Sequence, residues 1–202
     1  MKKLLIVLLL ITAAFCFITC NSSKAENDGS AEEAISSGLI NAILGSYSER
    51  SFKEGVVPDE MIETILKCAQ KAPSAANAQP WHFTVITNNE IAKQTAPRHY
   101  ADGAVVIVIS GKPNERVGIN IAFDAALASQ NIYLAAQALG LGTRQYYTGV
   151  QNINDTQKSA LGIPDDYIAQ IIMLIGYSAD DVDAVTSASQ RRPVEGNVNY
   201  LK

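Results

Sequence analysis

The feature that most constrains the fold of this chain is an alanine-rich stretch at residues 120–139, which is apolar around most of a helical circumference. A surface helix carries its apolar residues along one side, so a helix that is apolar nearly all round must be buried. Two further runs have the length of strands covered on both faces: residues 104–109, which are apolar throughout, and residues 168–175, which are apolar except for Gln170. The sequence therefore predicts a central helix packed against a buried sheet.

The remaining predicted elements alternate between helices and short strands. Helical spacing predicts a first helix that ends near Leu44, and Pro58 opens a second helix that runs to Lys71 before Pro73 prevents its continuation. Strands are expected at residues 82–87 and 143–147, a short helix at residues 155–161, and a link without assigned structure at residues 88–103. This order of elements indicates an α+β fold.

The first twenty residues differ from the rest of the chain. Lys2 and Lys3 precede an apolar run at residues 4–18, which is shorter than the roughly 20 residues of a spanning helix. Cys20 closes that run, an arrangement that resembles a bacterial lipoprotein signal, with plain secretion and an uncleaved anchor as alternatives. We expect a signal peptide at residues 1–20, a flexible tether at 21–32, a domain at 33–202 and an exported lipoprotein of a bacterial cell envelope.

Composition and missing motifs narrow the chemistry. Apolar residues make up 48% of the chain and the net charge is −4, which suits a folded domain and gives no basic stripe for nucleic acid. There is no G-x-S-x-G, H-E-x-x-H or G-x-G-x-x-G motif, and two histidines are too few for a metal site. We therefore predict no catalytic side chain, and any redox chemistry would need a cofactor.

Three segments carry the most specific signature in the chain. They read SYSERSF at residues 46–52, APSAANAQPWHF at 72–83 and ALGLGT at 138–143, and an Arg-Arg-Pro element follows at 191–193. Together they resemble the nitroreductase family, whose motifs are R-R-S-x-R-x-F, A-P-S-x-x-N-x-Q-P-W-x-F and L-G-L-G-[ST]. The resemblance spans about residues 34–200, and its second motif is the most specific.

The resemblance implies a nitroreductase-like fold, in which helices flank a central, mostly antiparallel sheet around a long buried helix. It also implies a domain-intertwined homodimer that binds FMN in sites shared between its subunits. The apolar central helix also favours a homodimer, because a helix that is apolar nearly all round needs more covering surface than one small chain provides. The implied cofactor-binding residues are Ser48, Arg50, Pro73, Ser74, Ala75, Asn77, Gln79, Thr148, Gly149, Arg191 and Arg192.

Individual roles follow from the resemblance and from the chemistry of FMN. A guanidinium bonds two phosphate oxygens at once, so Arg191 and Arg192 are the phosphate candidates. Arg50 is expected near the ribityl chain and the pyrimidine edge of the ring. The turn that holds Asn77 is expected to reach the flavin bound mainly by the other subunit, and a backbone amide near Gly149 is expected to face flavin N5.

The implied activity is a ping-pong reaction. NADH or NADPH gives hydride to the flavin and leaves, and a nitroaromatic, a quinone or a similar acceptor takes its place. Two features depart from the pattern: Ser46 replaces the family's leading arginine, and an exported enzyme would be separated from cytoplasmic nicotinamides. A lipid-anchored, non-enzymatic flavin-binding protein and a specialised flavoenzyme of the same fold with another donor therefore stay open as alternatives.

Overall fold

The computed structural model describes residues 38–114, 120–179 and 190–201, so the predicted signal and tether lie outside the described residues. The chain divides into two units, Met1–Asn41 and Ala42–Lys202. Only residues 38–41 of the first unit are described, and they are helical. Residues 42–44, the first of the second unit, are also helical. The predicted helix end near Leu44 is therefore confirmed. In these ranges no helix combines the length and apolarity needed to cross a bilayer.

The strands are β1 (Phe52–Lys53), β2 (Trp81–Ile86), β3 (Val105–Gly111), β4 (Gly142–Tyr146) and β5 (Ile168–Ser178). These five strands of the described chain form an antiparallel sheet in the order β1-β5-β3-β2, with β4 also paired to β5. With α1 at residues 38–44, the helices are α2 (Asp59–Gln70), α3 (Asn89–Thr95), α4 (Ile121–Ala138) and α5 (Val150–Asn152), which continues as a wider turn at Ile153–Gln157. The α+β fold with a central antiparallel sheet is confirmed.

The two apolar strands predicted to be buried are covered on both faces. On one face Ile107 and Met173 pack with the central helix α4, and on the other Val108 and Leu174 pack around Tyr146. Every residue of β3 is buried, as its uninterrupted apolar run predicts. This three-layer arrangement fixes the sheet edges, where the candidate site residues lie.

The central helix α4 is buried on the side that faces the sheet and exposed on another side. Asn120 caps it by accepting a hydrogen bond from the backbone of Ala122, and Ala128 and Ile132 are fully buried. One turn apart, Phe123 and Leu127 leave 70% and 43% of their surface exposed. The predicted burial is thus only partly achieved within one chain.

Two sequence-based expectations need correction. The 88–103 link contains α3, which Asn88 begins by accepting a hydrogen bond from the Ile91 amide. The helix expected at residues 155–161 begins earlier, at residue 150, because Gly149 with its φ of 90° turns the chain out of β4. The two-residue strand β1 was too short to show periodicity.

Candidate functional site

The first motif presents two polar residues outward around one buried acid. Ser48 and Arg50 are exposed, whereas Glu49 is only 1% exposed. Its Oε1 accepts hydrogen bonds from the backbone N–H groups of Arg50 (2.7 Å) and Ser51 (2.9 Å), and Oε2 accepts one from the Tyr47 hydroxyl (3.2 Å). Because the Glu49 carboxylate accepts a hydrogen bond from the backbone amide of Arg50, it fixes the backbone from which the Arg50 side chain projects.

The environment of Glu49 keeps its carboxylate charged. Burial alone would raise the pKa of Glu49, but hydrogen bonds from Ser178, from the amides of Ser51 and Arg50, and from Tyr47 together lower it. The second glycine of the third motif makes room for this group. A Cβ on Gly142 would lie 2.7 Å from Ser178 Oγ and 2.8 Å from Glu49 Cγ. The first and third motifs are therefore packed against each other.

The second motif forms a strained turn between α2 and β2. Ala76, Asn77 and Gln79 have φ values of 51°, 53° and 47°, in the left-handed region that few residues other than glycine adopt. Strain of this kind persists only where neighbouring contacts impose it, and it is often found at functional sites. One such contact is local: the backbone N–H of Gln79 donates a hydrogen bond to Ser74 Oγ at 2.9 Å.

A second contact to this turn comes from the central helix. Asp124, in the first turn of α4, accepts a hydrogen bond from the Ala75 amide at 3.2 Å through Oδ1. The side chain is 3% exposed, and its Oδ2 has no hydrogen-bond partner among the described residues. Asp124 was not predicted as a site residue, although an acid in the first turn of an otherwise apolar helix is a visible signal.

The turn borders a cavity of about 990 Å³ between α2 and β2. Asn77 and Gln79 line it together with Trp81 and His82. The predicted residues Pro73, Ser74 and Ala75 directly precede Asn77 in the same turn. The structure therefore gathers the second-motif residues at the β2 edge of the sheet.

A smaller cavity, of about 440 Å³, lies at the β4 edge and is lined by Pro97, Arg98, Arg144, Tyr146 and Thr148. We call it the arginine cavity. Arg144 Nη1 donates to the backbone oxygen of Glu49 at 3.0 Å, which ties the cavity to the first motif. Of the predicted residues, Ser48, Arg50, Thr148 and Gly149 therefore belong to this edge.

Three arginines act electrostatically on His99, close to the arginine cavity in sequence and charge. Burial lowers the pKa of His99 first, followed by the positive charges of Arg144, Arg98 and Arg50. Arg98 and Arg144 were not predicted, because neither belongs to a family motif. The tail arginines Arg191 and Arg192 are exposed and follow the undescribed residues 180–189.

Within one chain the two groups of predicted residues lie at opposite edges of the sheet. Strands β3 and β5 separate β2 from β4, which makes three inter-strand spacings of about 4.8 Å, or roughly 14 Å. The second-motif turn and the arginine cavity are therefore separate features of a single chain.

Comparison with known proteins identifies the family. The Nitroreductase family profile matches residues 43–101 and 93–177. A protein of Methanothermobacter thermautotrophicus, named for NADH dehydrogenase and NAD(P)H nitroreductase activity, is 33% identical over 153 residues, 71% of this chain and 78% of the relative.

Solved structures share the fold. A Desulfovibrio desulfuricans nitroreductase in complex with FMN gives a TM-score of 0.67 at 27% identity, covering 81% of this chain and 96% of that one. A Bacteroides fragilis nitroreductase with bound FMN gives 0.65 at 20% identity, covering 81% and 98%. With more than half of its length matched by the family profile, this chain belongs to the nitroreductase family.

Proposed function

We propose that this protein is an FMN-dependent oxidoreductase that takes electrons from NADH or NADPH and passes them to a nitroaromatic, a quinone or a similar acceptor. The observation that carries the proposal is the arginine cavity, which Arg98 and Arg144 line and which Arg144 joins to the first motif by its hydrogen bond to the Glu49 backbone, between Ser48 and Arg50. FMN is bound by the Desulfovibrio relative. An acceptor that replaces the nicotinamide at the same flavin would make the reaction ping-pong.

The donor set suits the chemical groups of FMN. Guanidinium groups bind phosphate and electron-rich ring edges, and short hydroxyls suit a polyhydroxylated chain. The ion pairs among the described residues, Lys67–Glu63 and Lys112–Asp166, use none of the three arginines. FMN would supply the hydride-accepting ring, and this chain would supply binding, orientation and positive charge.

We also propose that two copies of the chain share each flavin. Asn77 and Gln79 lie at the edge opposite the arginine cavity, so a symmetric dimer that joins unlike edges would bring both sets to one ligand. Exposed apolar surface supports a second copy, since such patches mark interfaces. It includes Phe123 and Leu127 on α4 and, on the tail, Val194, Val198, Tyr200 and Leu201.

The proposed export of the chain bears on its electron donor. If residues 1–20 direct the protein to the cell envelope as a lipoprotein, a reduced nicotinamide would have to be replaced there by another donor. A flavin carrier, which needs no donor, is the second candidate function. The choice between the two is open to a direct measurement.

The test is an anaerobic titration of the purified full chain, reconstituted with FMN, with NADH and with NADPH. We expect a yellow protein whose visible flavin absorbance is bleached by at least one nicotinamide and restored by an added quinone, because an oxidoreductase must complete both half-reactions. Riboflavin in place of FMN serves as the matched control, because it has the same ring and no phosphate.

The alternatives give different results. A yellow protein that neither nicotinamide bleaches would favour the carrier or another donor. A chain that cannot be reconstituted with FMN would contradict every flavin-based function proposed for it.

A further inference from the structure

The first motif is held by individual contacts rather than by regular structure. Residues 46–51 belong to neither a helix nor a strand, so the direction of their backbone depends on single hydrogen bonds. Strand β4 fixes one point, because the Glu49 amide donates to the Thr143 carbonyl at 3.0 Å. A second fixed point lies two residues earlier, at Tyr47. The exposed residue Ser48 therefore stands between two fixed neighbours.

The second fixed point comes from the central helix. Gln137, in the last turn of α4, donates from Nε2 to the Tyr47 carbonyl oxygen at 2.7 Å. Its neighbour Ala136 is fully buried, so the end of the helix that carries this amide is itself held in the core. Groups on such rigid elements are placed more accurately than groups on loops. Gln137 was not predicted, because it belongs to no family motif.

The hydrogen bond to Tyr47 also fixes the direction of the Ser48 N–H. The Tyr47 carbonyl and the Ser48 N–H belong to one planar trans peptide group, in which they point in opposite directions. Because the carbonyl is turned toward α4, the N–H is turned away from that helix. No described residue accepts a hydrogen bond from it, whereas the amides of residues 49–51 are all bonded. Ser48 thus offers an N–H and a hydroxyl side by side.

We propose that Gln137 is a positioning residue, which orients the Tyr47–Ser48 peptide so that the N–H and the hydroxyl of Ser48 both face the ligand of the first motif. The inference rests on the proposed function, in which that ligand is FMN. A peptide that is oriented before the ligand arrives costs less conformational entropy on binding. Ser46 and Tyr47 stand where the family motif has two arginines, so this chain has fewer cationic donors here and depends more on Ser48.

The first measurement needs no flavin. In the flavin-free protein we expect the Ser48 backbone amide to be rigid, with an NMR order parameter of roughly 0.85. Gln137→Met keeps the length of the side chain and removes its donor, so the order parameter should fall below about 0.6, the range of flexible backbone. The amide of Ile107, in the buried strand β3, is the internal reference and should not change.

The second measurement is FMN affinity, with Asn131 as a matched control on the same helix. Asn131 Nδ2 donates to the Cys68 backbone oxygen at 2.9 Å, so its partner lies in α2 rather than in the first motif. Asn131→Leu therefore removes the same kind of hydrogen bond as Gln137→Met, and both variants should lose similar stability. We expect Gln137→Met to weaken FMN binding at least tenfold and Asn131→Leu to leave it within twofold of wild type.

A second variant covers the case in which Gln137→Met does not fold. Gln137→Glu keeps the shape of the side chain, but its ionised carboxylate cannot donate to the Tyr47 carbonyl. It should lower the Ser48 order parameter and weaken FMN binding as the methionine variant does.

Two results would overturn the proposal: a Ser48 order parameter that is the same in the wild type and in the Gln137 variants, or equal losses of FMN affinity in the Gln137 and Asn131 variants. Failure of the wild-type protein to bind FMN would instead reject the proposed function, and the order parameters would still show whether Gln137 orients the Ser48 peptide.

Discussion

Replacing Glu49 with alanine should lower the free energy of unfolding by about 3 kcal/mol and weaken FMN binding at least tenfold. The substitution leaves the amides of Arg50 and Ser51 and the Tyr47 hydroxyl without their acceptor, and each of these part-buried donors costs about 1 kcal/mol, the low end of the range for an orphaned buried donor. Arg50 then loses the contact that directs it outward. Urea unfolding and flavin fluorescence titration measure the two effects.

Glu49→Gln is the matched control, because it keeps an acceptor and removes the charge. The folded-state pKa of Glu49 is lowered, so its stabilisation is present above the ordinary carboxyl value of 4.5 and is lost as the pH falls through the folded value. Wild-type stability should therefore decline below about pH 4.5 more steeply than that of the glutamine variant. Parallel stability curves for the two proteins from pH 6 to pH 3 would show that Glu49 does not carry this charge.

Replacing Asp124 with alanine should weaken FMN binding by roughly tenfold while changing stability by less than about 1 kcal/mol. The carboxylate holds the left-handed turn through the Ala75 amide, but its Oδ2 is buried without a described partner, so its removal also relieves an unfavourable burial. The proposed contact of Asn77 with a flavin should then be lost to turn disorder. Equilibrium titration with FMN and urea unfolding would separate the two quantities.

The asparagine variant provides the control for Asp124. Asp124→Asn keeps the Oδ1 acceptor for Ala75 and should retain most of the FMN affinity. An alanine variant that binds FMN as tightly as the wild type would show that the helix contact does not hold the turn in its binding conformation.

The architecture could be predicted where the chain is apolar or carries a motif. Mostly apolar runs identified β3, β5 and α4 to within a few residues, because burial on both faces leaves a pattern in sequence. The helix α3 was not predicted, since its seven residues are too few to show a clear period and the Asn88 cap was its only marker.

The site was predictable in part for a similar reason. Family motifs pointed to Arg50 and Asn77, whereas Asp124, Arg98 and Arg144 make contacts that join segments distant in sequence. No local pattern marks such contacts, and only the fold brings β4 beside the first motif. The separation of the predicted residues between two sheet edges was equally invisible in the sequence.

The most direct test of the shared flavin site is subunit complementation between Arg50→Ala and Asn77→Ala. Each variant alone damages both sites of a symmetric dimer, but a mixed dimer carries one site with both changes and one with neither. Co-expressed chains bearing different tags would allow the mixed dimer to be isolated and its tightly bound FMN measured. We predict about half of the wild-type FMN content in the mixed dimer. A mixed dimer that binds no more FMN than either variant alone would contradict the shared site.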